Sequence, residues 1–116
     1  MMAVTSQPQP RTQQISAEQE NYEKLVYAAI KPQWEQQVSL KGDLVDIGTV
    51  RVSFFVRADG HAEVVKILSN TSNEALVMVV IASLRRAHIP PIPESLLKHL
   101  PNRRLDLEIP FTLNPN

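Results

Sequence analysis

Apolar residues recur at spacings of three and four along Tyr22, Leu25, Val26, Ala29, Ile30, Trp34 and Val38, the repeat of one helix face. The pattern predicts a first helix from about Ser16 to Val38, with Ser16 as N-cap and Glu18 and Gln19 in a first turn that suits the macrodipole. Pro32 falls inside it, so a kink near Ala28 to Pro32 or a break into two shorter helices is expected. From Thr49 to Arg57 the period drops to two: Val50, Val52, Phe54 and Val56 lie on one side, Arg51, Ser53 and Arg57 on the other. Asp59-Gly60 then supplies the positive φ angles of a two-residue hairpin turn, and a second strand follows over His61 to Ser69. That turn places Ala58 opposite His61, Phe54 opposite Val65 and Val52 opposite Ile67, whereas a slip of one residue would bury Lys66. The same register sets Phe55 opposite Val64, with Leu68 nearby, as a small apolar patch suited to cover by a loop or tail, or to binding.

Thr71-Ser72-Asn73-Glu74 has the form of a capping box, and the apolar stretch from Ala75 predicts a second helix over about Ser72 to His88. Its inner stripe is Leu76, Val79, Val80, Leu84 and Ala87, widened by Val77, Met78 and Ile81, so it should be the best-buried helix. Pro90-Pro91-Ile92-Pro93 ends it, Glu94 to Leu100 suits a short helical turn, and Pro101-Asn102 is a further stop. Leu105, Leu107, Ile109, Phe111 and Leu113 alternate with Arg104, Asp106, Glu108, Pro110 and Thr112, the longest clean alternation in the chain. The expected fold class is α+β: a two-layer sandwich with a three-stranded antiparallel sheet and two helices on one face, in the order α-β-β-α-β. Residues 1–15 hold little to bury and predict a flexible linker or tail, leaving 16–116 as the domain.

Pro110 lacks an N–H and belongs at a sheet edge with its nitrogen turned outward, or at a bulge. The last strand is therefore expected at an edge, where Arg104, Asp106, Glu108 and Thr112 would share that outward direction. Such an edge either recruits a peptide or is protected against aggregation by its charges.

Twelve basic residues balance twelve acidic ones, which gives no support to polyanion binding as the main task. The basic residues are uneven, however: Arg85, Arg86, Lys98, Arg103 and Arg104 face only Glu94 in their stretch, as a solvated flank or as a docking surface for an acidic partner. The absence of cysteine excludes disulfides, zinc thiolates and thiol nucleophiles. His61, His88 and His99 fit no metal-ligand spacing and converge on no catalytic constellation, so no catalytic, cofactor or metal site is expected. Trp34, on the apolar helix face, reads as core rather than as a recognition aromatic.

The run from Gly48 to Gly60 followed by Val64 to Ser69, the helix exit from Ser83 to Pro93, and the closing Leu105 to Leu113 resemble the C-terminal domains of the TonB/TolA energy-transducer family. The resemblance covers roughly Tyr22 to Leu113, and the order and spacing of its short motifs carry it. The Tyr-Pro pair that precedes the first helix in many TonB domains is absent, and the long first helix with Tyr22, Ile30 and Trp34 looks more like TolA-type members, without the cysteine pair of some of them. The resemblance implies a non-catalytic periplasmic domain, tethered through an inner-membrane anchor outside this chain. It would engage outer-membrane receptors or other envelope proteins by β-strand addition at its last strand, with no cofactor and no nucleic acid. The partner-binding residues it implies are Arg103, Arg104, Asp106, Glu108 and Thr112. The alternative is a TolA-like envelope-integrity module or an oligomerising structural one, in which the edge strand pairs with a second copy of the chain.

Overall fold

The computed structural model describes residues 2–4 and 16–115. Helix α1 (Ala17–Lys41) starts where Ser16 Oγ accepts a hydrogen bond from the Gln19 amide at 3.1 Å, and ends at Gly42, whose φ of 49° only glycine adopts freely. It is longer than its apolar repeat, and Pro32 does not break it in two. The carbonyl that Pro32 leaves without a donor is that of Ala28, and both residues are exposed, so water can serve it. Tyr22, Val26, Ile30, Trp34 and Val38 form the buried stripe, while Leu25, expected on that face, stands on its flank and is half exposed.

Four strands make one antiparallel sheet: β1 (Met2–Val4), β2 (Gly48–Val56), β3 (Ala62–Asn70) and β4 (Leu105–Leu113), in the spatial order β1-β4-β2-β3. The last three are the expected sheet, with β2 central and β4 bordering it. Val50, Val52, Phe54 and Val56 of β2, and Leu105, Leu107, Ile109 and Phe111 of β4, point into one core with the stripe of α1. Helix α2 (Glu74–Arg86) covers the same face with Leu76, Val79, Val80 and Leu84, and the short α3 (Glu94–Leu97) adds Leu96 and Leu97. Met78 is exposed rather than part of that surface. Trp34 is fully buried, its ring 5.3 Å from that of Phe111. Among the described residues, no helix packs on the opposite face of the sheet.

The hairpin departs from the expected register. Gly60 N donates to Arg57 O at 2.8 Å and Arg57 N donates to His61 O at 2.8 Å, so three residues rather than two make the turn, with Gly60 at φ 96°. A three-residue turn puts Ala62 and Val64 inward, opposite Val56 and Phe54, and strict alternation would then send Lys66 into the core. Two bulges prevent this: Val65 and Leu68 are the extra residues, and between them the parity flips so that Ile67 faces Val52 while Lys66 sits opposite Ser53. Val65 therefore lies exposed instead of opposite Phe54. Phe55 meets Glu63 and not Val64, and its apolar surface is covered by the Arg104 guanidinium, 4.2 Å above the ring.

The N-cap of α2 is Asn73, whose Oδ1 accepts from Leu76 N at 3.0 Å, and not Thr71. Thr71 is drawn away by β2: its amide donates to Thr49 O at 2.9 Å and its Oγ1 accepts from Thr49 N at 2.8 Å. Met2–Val4, taken from the segment expected to be a tail, lies antiparallel to the end of β4, while the rest of that segment lies outside the described residues.

A candidate docking edge on the last strand

The direction of the backbone groups along β4 follows from the bonds at the two ends of β2. Thr49 turns its amide and carbonyl toward the β3 side, to Thr71, and Arg57 does the same, its amide donating to His61 O and its carbonyl accepting from Gly60 N in the turn. Every second residue of a strand shares a direction, so Arg51, Ser53 and Phe55 face β3 as well. Their partners across the β2–β4 ladder, Pro110, Glu108 and Asp106, form the non-hydrogen-bonded pairs and turn their own backbone groups away from β2. Pro110 thus sits where a missing N–H costs the β2 ladder nothing. On the outward side β1 pairs with Phe111 to Leu113, Ala3 standing opposite Thr112. Among the described residues, no strand pairs on that side with Leu105 to Ile109.

Four of the five residues expected to contact a partner share the open face of β4. Arg104 is extended (φ −150°) and spans Phe55, with Nε 3.3 Å from Asp106 Oδ1 in an ion pair that lacks hydrogen-bond geometry. Glu108 accepts from Arg51 Nη2 at 2.8 Å, and Thr112 Oγ1 lies 3.0 Å from Thr49 Oγ1. Arg103 stands apart. It belongs to the 3₁₀ turn Pro101–Arg103 at φ 51°, and Nη2 donates to both carboxylate oxygens of Glu94 at 3.2 Å. Thr112 is on the stretch that β1 already covers. Sequence reasoning did not find Arg51 and Phe55 as members of this face; the signal was their place at the polar positions of β2, which only the β2–β4 register turns into neighbours of Glu108 and Asp106.

The outer face is a polar, partly charged surface, with Asp106 and Glu108 exposed beside Arg51 and Arg104. Exposed pairs of this kind contribute about 0–1 kcal/mol each, so they leave the edge available at little cost. Among the described residues no cluster of three or more His, Cys, Asp or Glu side chains could hold a metal ion, and no helix is long and apolar enough to cross a membrane.

Comparison with solved structures places this arrangement. The solution structure of the Helicobacter pylori TonB C-terminal domain matches over 90% of this chain and 100% of that chain, with a TM-score of 0.51 and 19% identity. The fold is that of a TonB C-terminal domain. No family profile and no curated protein matches the sequence. The likeness to the TonB domain is one of fold: its two-layer arrangement brings the last strand to the border of the three-stranded sheet in this chain.

Proposed function

We propose that this chain is a non-catalytic periplasmic protein-binding domain of a TonB-like energy transducer, engaging an outer-membrane receptor or another envelope protein by strand addition at β4. The observation that carries the reading is the outward direction of the backbone at Asp106 and Glu108, on a stretch where no described strand pairs on the side away from β2. An extended peptide laid there would gain main-chain hydrogen bonds at both residues, each contributing about 0.5–1.5 kcal/mol net. The charges of Arg51, Arg104, Asp106 and Glu108 would select among peptides by their side chains. The fold shared with the H. pylori TonB domain supports the assignment to an energy transducer and, with it, the periplasmic location and the envelope partner.

Replacing Glu108 by proline removes an outward amide without touching the β2 ladder. Expected is a variant that melts within a few degrees of the parent and loses binding to an envelope partner recovered with the parent chain. Retained binding in the folded variant sinks the strand-addition reading. The same edge could pair with a second copy of the chain, and light scattering at several concentrations separates the two: an adaptor is monomeric at every concentration, whereas an assembly module dimerises and the Glu108→Pro change abolishes the dimer.

A further inference from the structure

A second surface lies away from the β4 edge, where the hairpin tip meets the end of α2. A cleft of about 560 Å³ opens there between Gln33 and Gln36 of α1, His61 at the hairpin, and Arg85, Arg86 and His88 at the α2 exit. A smaller depression of about 310 Å³ continues it past His61 and Arg85 to Arg57. The frame is rigid. Gly60 packs so closely against the exit segment that a Cβ would fall 2.3 Å from Ile89 O. Ile92 N donates to Ala58 O at 3.0 Å, and Tyr22 Oη donates to Pro90 O at 2.6 Å, so hairpin and α1 grip the same segment from two sides.

The charge in this frame leans to the positive. Asp59 is already engaged by the amide and ring of His61, at 3.0 and 3.1 Å, and Glu63 lies 3.9 Å from Arg57. Arg85 and Arg86 are exposed and make no ion pair among the described residues. The C-terminal dipole of α2 offsets about half a unit charge and the Asp59 carboxylate one more, so the two guanidinium groups leave the cleft modestly positive. The amides of Gln33 and Gln36 add neutral donors on the facing wall. This is the donor set of a carboxylate receptor, since guanidinium forks bind carboxylates in two-point geometry.

We infer that this cleft is a docking site for an acidic peptide segment of a protein partner, with Arg85 and Arg86 as its anchors. The site is independent of strand addition at β4. A peptide is favoured over a nucleic acid because the chain as a whole is neutral, with twelve basic and twelve acidic residues, and two adjacent arginines in one cleft do not make the extended basic surface that a phosphate backbone needs. Two carboxylates spaced along an extended segment match the two arginines, and a cleft of about 560 Å³ limits the contact to a few residues.

The test uses the full chain and a labelled peptide of about eight residues in which Asp and Glu alternate with Gly and Ser, alongside its twin with Asn and Gln in place of the acids. Fluorescence anisotropy should show saturable binding of the acidic peptide, at least tenfold weaker binding of the amide twin, and loss of affinity as salt rises. Arg85→Gln with Arg86→Gln should weaken binding tenfold or more at an unchanged melting temperature, whereas Glu108→Pro should leave it intact, so failure here and failure of the β4 reading give different results. Equal binding of the two peptides, no binding, or full retention in the double variant overturns the proposal. So does tighter binding of a single-stranded oligonucleotide or of anionic vesicles through the same arginines.

Discussion

Tyr22 shows how one buried group ties folding to pH. Its hydroxyl donates to the Pro90 carbonyl at 2.6 Å, and burial pushes the phenol up from 10.0 to about 12. A raised value means that the folded chain holds its proton longer than the unfolded chain does. The stabilising contribution is therefore complete below pH 10 and is lost as pH rises toward about 12. Urea titrations across that window should show stability falling with pH in the parent, and a flatter profile in Tyr22→Phe. That variant should also lose about 1 kcal/mol at neutral pH for the missing hydrogen bond. At Gly60 the requirement is steric and conformational together, with φ at 96° and Ile89 O where a Cβ would lie. Gly60→Ala should cost about 2 kcal/mol or more, read as a lower urea midpoint, because the backbone of the exit segment has to give way. Trp34 needed no structure to be assigned to the core: its place in the three-and-four repeat is decisive, and it is fully buried.

At the scale of elements, legibility followed the strength of the local pattern. β2 and β4 were plain because each buries one face and exposes the other, so side-chain alternation mirrors the environment. β3 was legible as a strand but not in its register: it borders the sheet, and two bulges absorb the conflict between a three-residue turn and a lysine at position 66. That conflict is set by the turn geometry, which the dipeptide Asp59-Gly60 leaves open between two and three residues. The start of α2 was misplaced for a related reason. Four consecutive residues from Thr71 to Glu74 include three with side chains that cap helices, and the choice falls to Asn73 only because Thr71 is taken by Thr49. Asn73 also donates from Nδ2 to Leu44 O at 2.9 Å, which fastens the loop before β2 to the helix start. Asn73→Ala should lower stability by about 1 kcal/mol or somewhat more, measured by denaturant unfolding, and Ser16→Ala at the exposed end of α1 should cost less.

For the whole molecule, the two layers and the border position of the last strand could be read from element order and from Pro110. The strand that partly covers that border could not. Met2-Ala3-Val4 is too short to show alternation and is followed by a run rich in proline and glutamine, so composition argued against any ordered role. Pairing of these three residues with Phe111 to Leu113 divides β4 into a covered end and a stretch from Leu105 to Ile109 on whose outer side no described strand pairs. A partner that adds along the whole of β4 would have to displace β1, and its apparent affinity is reduced by the fraction of molecules in which β1 is in place. Deleting residues 1–15 should therefore strengthen binding of such a partner, with the gain in the association step, measured by calorimetry and stopped-flow mixing on parent and truncated chains. The truncated chain should keep its melting temperature within a few degrees, since none of the core side chains from Tyr22 onward is removed. An unchanged affinity would confine the partner to Leu105–Ile109. A weaker one would make the short strand part of the receptor surface, with β4 extended by it rather than blocked.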